Sequence, residues 1–443
     1  MRTPLLALED FGTANPEELI TRIVEADLAS DRLDAEGALQ SQEVERLDEN
    51  IDNARVVATA LSETAERLEA IYPEGVPAEV VATLEPVLEA LKNVVGFQPG
   101  AMKVSLEGLH GKERTRVTVE SLKETDKKIW EAIKAAFNRM VEFVKSLFTR
   151  QSKKQEVIKD KIDAALDSWE KAINAEVAQG KVVKFGESEK ILYPMTVLTD
   201  SGHAPSYQEM DEWLSKDAQM LHRVFGLAGE DVLAFHNLSQ DILEKTQTAD
   251  EVAEELLKWS REANDKMFSE IRHAGGHVEQ GEVVVKSKIG GAKGAFSALQ
   301  VQRDGESTKH PCAALGFKTT NTTADSKTDS QYGPVLTKQQ ATHLLEKMKK
   351  EIESWPDSHK YEKNSRVVTE FREIFEHAVN SSARTDDEKQ KMLHLLSDIM
   401  YRLRSCLNIM RWSHEATMSV LMGISSVCAS SNFSNSMNEH FGK

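Results

Sequence analysis

Cysteine is scarce in this chain. Three are present in 443 residues, Cys312, Cys406 and Cys428. An odd number cannot all pair, and none sits in a Cys-x-x-Cys or Cys-x-x-His spacing. That argues against a disulfide framework and a structural zinc site, and for free thiols in a reducing compartment. Aromatic residues are few as well, at 6% against 29% charged residues. Sheet-rich enzymes carry more aromatic and β-branched side chains. This composition predicts helices with wide polar faces. Long apolar runs are also missing. No stretch reaches the ~18 apolar residues of a spanning helix. The nearest, "ATMSVLMGISSVCA" from Ala416 to Ala429, is short and interrupted by serines and a threonine. The opening "MRTPLLALEDFG" holds an apolar run of about five residues, below the ~7–15 of a secretory signal. The expectation is a soluble protein made in the cytoplasm.

A basic excess is lacking too. The formal net charge is −17, so bulk electrostatics disfavours nucleic-acid binding. That charge is unevenly spread. Residues 1–107 hold 22 acids and 8 bases, a net of −14, while residues 108–443 hold 50 acids and 47 bases, a net of −3. The division falls inside "VSLEGLHGKERTR", Val104 to Arg116.

What is present is mostly helical pattern. Asn15-Pro16-Glu17-Glu18 is a good helix start, with an N-cap, proline in the first turn and acids at the positive end of the dipole. It predicts helix over 15–71, ended by "YPEGVP" at 72–77, and a further helix over 78–95. After the junction, Ile129, Ile133, Phe137, Met140, Val144, Leu147 and Phe148 fall at helical spacing in Val119–Lys153. Lysine and arginine crowd its other positions. From Arg114 to Lys154 there are 11 bases and 5 acids. A second helix is expected over 155–178, which makes 108–180 a basic amphipathic hairpin. Residues 181–204 read as short-stranded or irregular. Helices are expected over 207–225, 230–245 and 248–273. "GEVVVKSKIGGAKGAFSALQVQ", Gly281 to Gln302, is the best strand candidate, and 303–333 reads as a polar loop or flap. Helix returns over 337–355, 365–380 and 385–429, before a frayed tail. The expected fold class is mainly α, as elongated helical bundles with a small β insertion around 277–320. The expected units are 1–107, 108–180, 181–335 and 336–443.

Few residues suggest catalysis. "IGGAKGAFS", 289–297, departs from a phosphate-binding loop because Lys293 precedes the last glycine, and it reads as a turn between strands. His273 and His277 have ligand spacing, but Gly275 and Gly276 between them break the helix that this spacing needs. His222, His236, His377, His394 and His414 read as surface or boundary histidines. The acids Glu209, Asp211 and Glu212 read as a solvated face. No catalytic constellation, cofactor or metal site is expected, and an enzyme hidden in 181–443 ranks low.

The helix 119–153 allows more. An apolar face bordered by Lys and Arg suits a bundle core with snorkelling lysines. It also suits an interfacial membrane helix or a DNA-facing one. Candidate contacts to DNA or membrane are Lys123, Lys127, Lys128, Trp130, Lys134, Arg139, Lys145 and Arg150.

Ser105-Leu106-Glu107 before Gly108 is a small-x-Glu site at the charge division, where glycine lets the backbone extend into a protease cleft. "LLALEDF" near the start, the acidic helical leader, "VSLEG" and "ESLKETDKKIWEAIKAAFNRMVEFVKSLF" together resemble the phiKZ-like phage internal head proteins of jumbo bacteriophages, over about residues 1–175. The resemblance implies a protein packaged in the capsid interior. It implies a leader removed by a prohead protease after a small-x-Glu sequence, and ejection with the genome. Carried onto this chain, the cleavage site is Ser105, Leu106, Glu107 and Gly108. The implied partners are the prohead scaffold or capsid, the prohead protease, paralogous internal proteins or further copies, and packaged DNA; membrane enters only through the amphipathic pattern of 119–153. A membrane-active effector built on 119–148 is the alternative.

Overall fold

The computed structural model describes residues 16–74, 76–77, 79–80, 135, 138–139, 142, 145–169, 182–184, 198–199, 204–244, 248–279, 282–290, 295–302, 317–323, 332–334, 336–355, 370 and 386–441. The helices are α1 (Pro16–Ile71), α2 (145–169), α3 (Tyr207–Ser215), α4 (Asp217–Glu244), α5 (Ala249–His273), α6 (Lys338–Ser354) and α7 (Asp386–Phe441). The protein is mainly α, as its composition predicts.

The body is organised around α7. No charged residue occurs between Ala416 and Asn438, and Thr417, Met418 and Val420 to Ala429 are all buried. A helix without a polar side must be enclosed on all sides. α1, α4, α5 and α6 touch α7, as do strands of the β region, and α2 is bonded to it. The Lys161 ammonium donates to Ser426 Oγ at 2.8 Å, and Trp169 Nε1 donates to the Cys428 carbonyl at 3.0 Å. The hydroxyls of α7 are satisfied within the helix. Ser413 donates to the Ile409 carbonyl at 3.0 Å, Thr417 to Ser413 at 2.9 Å and Ser431 to Val427 at 3.0 Å. Such back-bonding lets serine enter a core without a partner from another element.

Three surrounding helices begin with a capping box, at Ser206 and Glu209, Thr248 and Glu251, and Thr337 and Gln340. In each, the hydroxyl and the side chain three residues on satisfy backbone donors at the helix start. Their apolar stripes then face inward. α5 buries Val252, Leu256, Met267 and Ile271. α6 buries Ala341, Leu344, Leu345, Met348 and Ile352.

The β region is antiparallel. β3 (His277–Glu279), β4 (Glu282–Lys286), β6 (Ala295–Gln302) and β7 (Phe317–Thr323) form one sheet in that order. Val283 pairs with Val301 and Val285 with Leu299. Two small ladders reach back along the chain. β1 (Val182–Lys184) pairs with β8 (Tyr332–Pro334), and β2 (Leu198–Thr199) pairs with β5 (Ile289–Gly290). The sheet is anchored to the helices at its base. Trp213 Nε1 donates to Ser287 Oγ at 2.7 Å, and the Lys288 amide donates to Asp217 at 3.0 Å.

Several expectations change. The break expected at 153–155 is absent: α2 runs through it, because Arg150, Lys154 and Lys161 all turn toward the core with Ile158 and Ile162. The expected helix 207–225 divides at Lys216 into α3 and α4. The polar stretch 303–333 contributes β7, whose threonines suit a strand, and the start of β8. The tail is not frayed. α7 continues to Phe441, with Ser431 and Asn432 buried and the Ser431 hydroxyl accepting from the Leu336 amide at 3.0 Å. The expected helices at 78–95 and 365–380 lie almost wholly outside the described residues.

Candidate functional site: the seam between the first helix and the body

α1 lies against the body along one side. Val57, Ala65, Leu68 and Val76 belong to the same buried cluster as Phe148 and Ile162 of α2 and Leu421 of α7. Farther toward the start of α1, the contact becomes polar and centres on Arg150. Its guanidinium donates to Gln40 Oε1 at 3.1 Å and to Glu415 of α7 at 3.1 Å. Gln40 Nε2 in turn donates to Ser146 Oγ at 2.6 Å. Gly37 lies one helical turn from Gln40, and a Cβ on it would collide with the Arg150 guanidinium. Arg150 is 7% exposed, so it joins α1, α2 and α7 from within.

Beside this seam lies His414, fully buried and edge-on to Trp355 with ring centroids 5.2 Å apart. Burial holds its pKa well below the usual histidine range, and the positive charges of Lys154 and Arg150 push the same way. The imidazole is therefore neutral at pH 7. Neither ring nitrogen has a hydrogen-bond partner among the described residues, and the same is true of the Gln151 side-chain amide on α2. The expectation of a surface or boundary His414 fails because the helix carrying it is enclosed. His236 is also buried, with its Nε2 2.9 Å from a Glu370 carboxylate oxygen.

A second buried polar cluster lies in the body. Arg402 of α7 grips Asp231 of α4 with two bonds of 3.0 Å, and donates to Ser260 at 2.7 Å and Asn264 at 3.1 Å. Its guanidinium also sits 4.5 Å from the Trp259 ring. The Cys406 thiol donates to Asp231 at 3.0 Å. Burial and the Asp231 charge push its pKa far up, so it is no nucleophile. This charge pair is closed on itself and holds α4, α5 and α7 in register.

Of the candidate contact residues, Arg139 and Lys145 are exposed, and Lys145 pairs with Glu142 at 2.8 Å. Arg150 is removed from solvent by the seam. Lys123, Lys127, Lys128, Trp130 and Lys134 lie outside the described residues, as do Ser105, Leu106, Glu107 and Gly108. Asp211 is no free acid: His343 and Lys347 bond it at 3.0 and 2.5 Å. They hold its pKa low against the opposing effect of burial. Cys406 and Cys428 are free, as expected. α5 ends at His273, and Gly275 follows with φ of 119°, a left-handed turn that suits glycine.

Sequence reasoning missed Gly37, Gln40 and Glu415. One signal was available. A glycine inside an otherwise regular helix costs roughly 1 kcal/mol relative to alanine, so its presence at 37 asks for a close neighbour.

The seam joins α1 and α2 to the last helix, and the stretch that carries these two helices is where likeness to known proteins lies. Residues 8–193 match the family model of the phiKZ-like phage internal head proteins. This is the family that the sequence resembles. The matched stretch contains α1, α2 and β1, and ends before the body helices α3 to α7. Over those 186 of 443 residues the chain is similar to phage internal head proteins. No curated protein and no solved structure matches the chain. Among the described residues, no helix is long and apolar enough to cross a membrane, and no group of three or more His, Cys, Asp or Glu side chains is placed to hold a metal.

Proposed function

We propose that the chain is an internal head protein, packaged in the prohead and matured by proteolysis after Glu107, so that an acidic leader parts from a near-neutral body. The observation that carries this reading is the charge division. Residues 1–107 hold −14 of the −17 net charges. During assembly the leader addresses the chain to basic surfaces of the scaffold or capsid. Before genome packing, its loss removes most of the repulsion against a dense polyanion. The exposed bases Arg139 and Lys145, with Lys123, Lys127, Lys128 and Lys134, then serve as phosphate contacts in the packed head. Ejection with the genome belongs to the same reading.

Mass spectrometry of purified particles tests the maturation step. The expected mature N-terminus is Gly108. Packaged copies that retain residues 1–107 in one chain with the body would refute it. DNA contact is tested by gel shift of the mature form against salt, with binding expected to weaken steeply as salt rises.

A further inference from the structure

The body holds α1 in a way that a cut at 107 would not undo. Val57, Ala65, Leu68 and Val76 are buried in the shared core. The polar end of the contact is keyed: Gly37 leaves room for the Arg150 guanidinium, which bonds Gln40 on α1 and Glu415 on α7 at 3.1 Å each. Gln40 is in turn fixed to Ser146. None of these contacts passes through residues 105–108. Cutting the chain there removes a tether, but leaves the apolar patch and the keyed arginine intact.

We propose that α1 is a docked subunit, and that residues 1–107 remain bound to 108–443 after the junction is cut, with Gly37 and Arg150 as the latch. The partner that fits this face is therefore a long acidic helix with a glycine notch, as the chain itself supplies. Release of the leader then needs a second event that breaks the latch, such as digestion of α1 or competition for Arg150. While α1 is docked, Arg150 is withheld from any polyanion. Its loss returns one more buried base to the surface, beside the exposed α2 positions.

The inference goes beyond the maturation reading and does not need a natural cut. The full chain is prepared with a site-specific protease sequence in place of 105–108, cut, and run on size exclusion at micromolar concentration. The expected result is co-elution of the 1–107 piece with the body. In the Gly37→Leu variant a side chain meets the guanidinium, and retention is expected to weaken roughly tenfold or more, the scale of an overpacking clash. Adding Arg150→Ala to Gly37→Leu removes the obstacle and is expected to recover part of the retention, which a general loss of α1 structure would not allow. Thermal unfolding of uncut Gly37→Leu checks that the body is intact. Separation of the unsubstituted 1–107 piece on cutting, or equal retention in the unsubstituted and Gly37→Leu chains, would overturn the latch. A virion N-terminus other than Gly108 would count against the maturation reading alone.

Discussion

α1 and α7 are each 56 residues long, about 84 Å of helix at 1.5 Å per residue, yet their surroundings are opposite. α1 leaves several large apolar side chains exposed, with Leu39 at 69% and Val56 at 62%, whereas in α7 Leu421 and Ile424 are at 0%. Neither helix is the amphipathic stripe that usually marks a helix against a core. α1 is charged almost all round and touches the body through scattered small and apolar residues. From Ala416 to Ser431, α7 is apolar or hydroxylated all round and needs every neighbour to cover it. A helix of the first kind can leave a protein that persists without it. One of the second kind cannot, because its removal would expose an uninterrupted apolar surface.

The largest expected effect breaks the enclosed partner. Arg402→Met leaves Asp231 buried without its counter-charge, which costs about 3–5 kcal/mol, read as a fall in the urea midpoint of the full chain. Leu421→Ala, also within α7, opens a cavity and is expected to cost about 2–5 kcal/mol in the same assay. If either change left stability intact, the description of α7 as the centre of the core would fail.

Acid sharpens the contrast next. His414 is held neutral, with its folded pKa below the ordinary value of 6.5. As pH falls below about 6.5, the unfolded chain takes up this proton before the folded one. The contribution is therefore complete above pH 6.5 and lost below it, at up to about 1.4 kcal/mol per pH unit. Urea midpoints at pH 7 and pH 5 should differ more for the parent chain than for His414→Leu. Thr337→Ala removes the cap of α6 and is expected to cost about 1 kcal/mol. On α1, the exposed Leu39→Ala is expected to stay within about 0.5 kcal/mol. A large loss there would mean that α1 carries weight in the body's stability beyond the seam.

Much of the fold was legible from local chemistry. The start of α1 at Pro16 and its end at Ile71 followed from the cap, the proline and "YPEGVP". The valine run of β4 and the stops of α5 and α6 were equally local. The seam was less legible. Gly37 and Arg150 are distant in sequence, and an arginine on a basic helix reads as a surface contact until the covering helix is known. His414 and Ser431 were misplaced for the same reason. The sequence neighbours of Ser431 are uncharged, which fits an idle tail as well as a sealed core.

The sequence alone determined where α1, α5 and α6 begin and end, that acidity is gathered before residue 108, and that the chain resembles internal head proteins over its first part. These are properties of neighbouring residues, set by backbone donors, turn chemistry and summed charge. Only the tertiary structure decided that α7 is the centre, that Arg402 closes on Asp231, and that α1 rests on Arg150. Each depends on groups far apart along the chain meeting out of water. There the same side chain changes from a solvated charge to a buried bond, and desolvation fixes its partner.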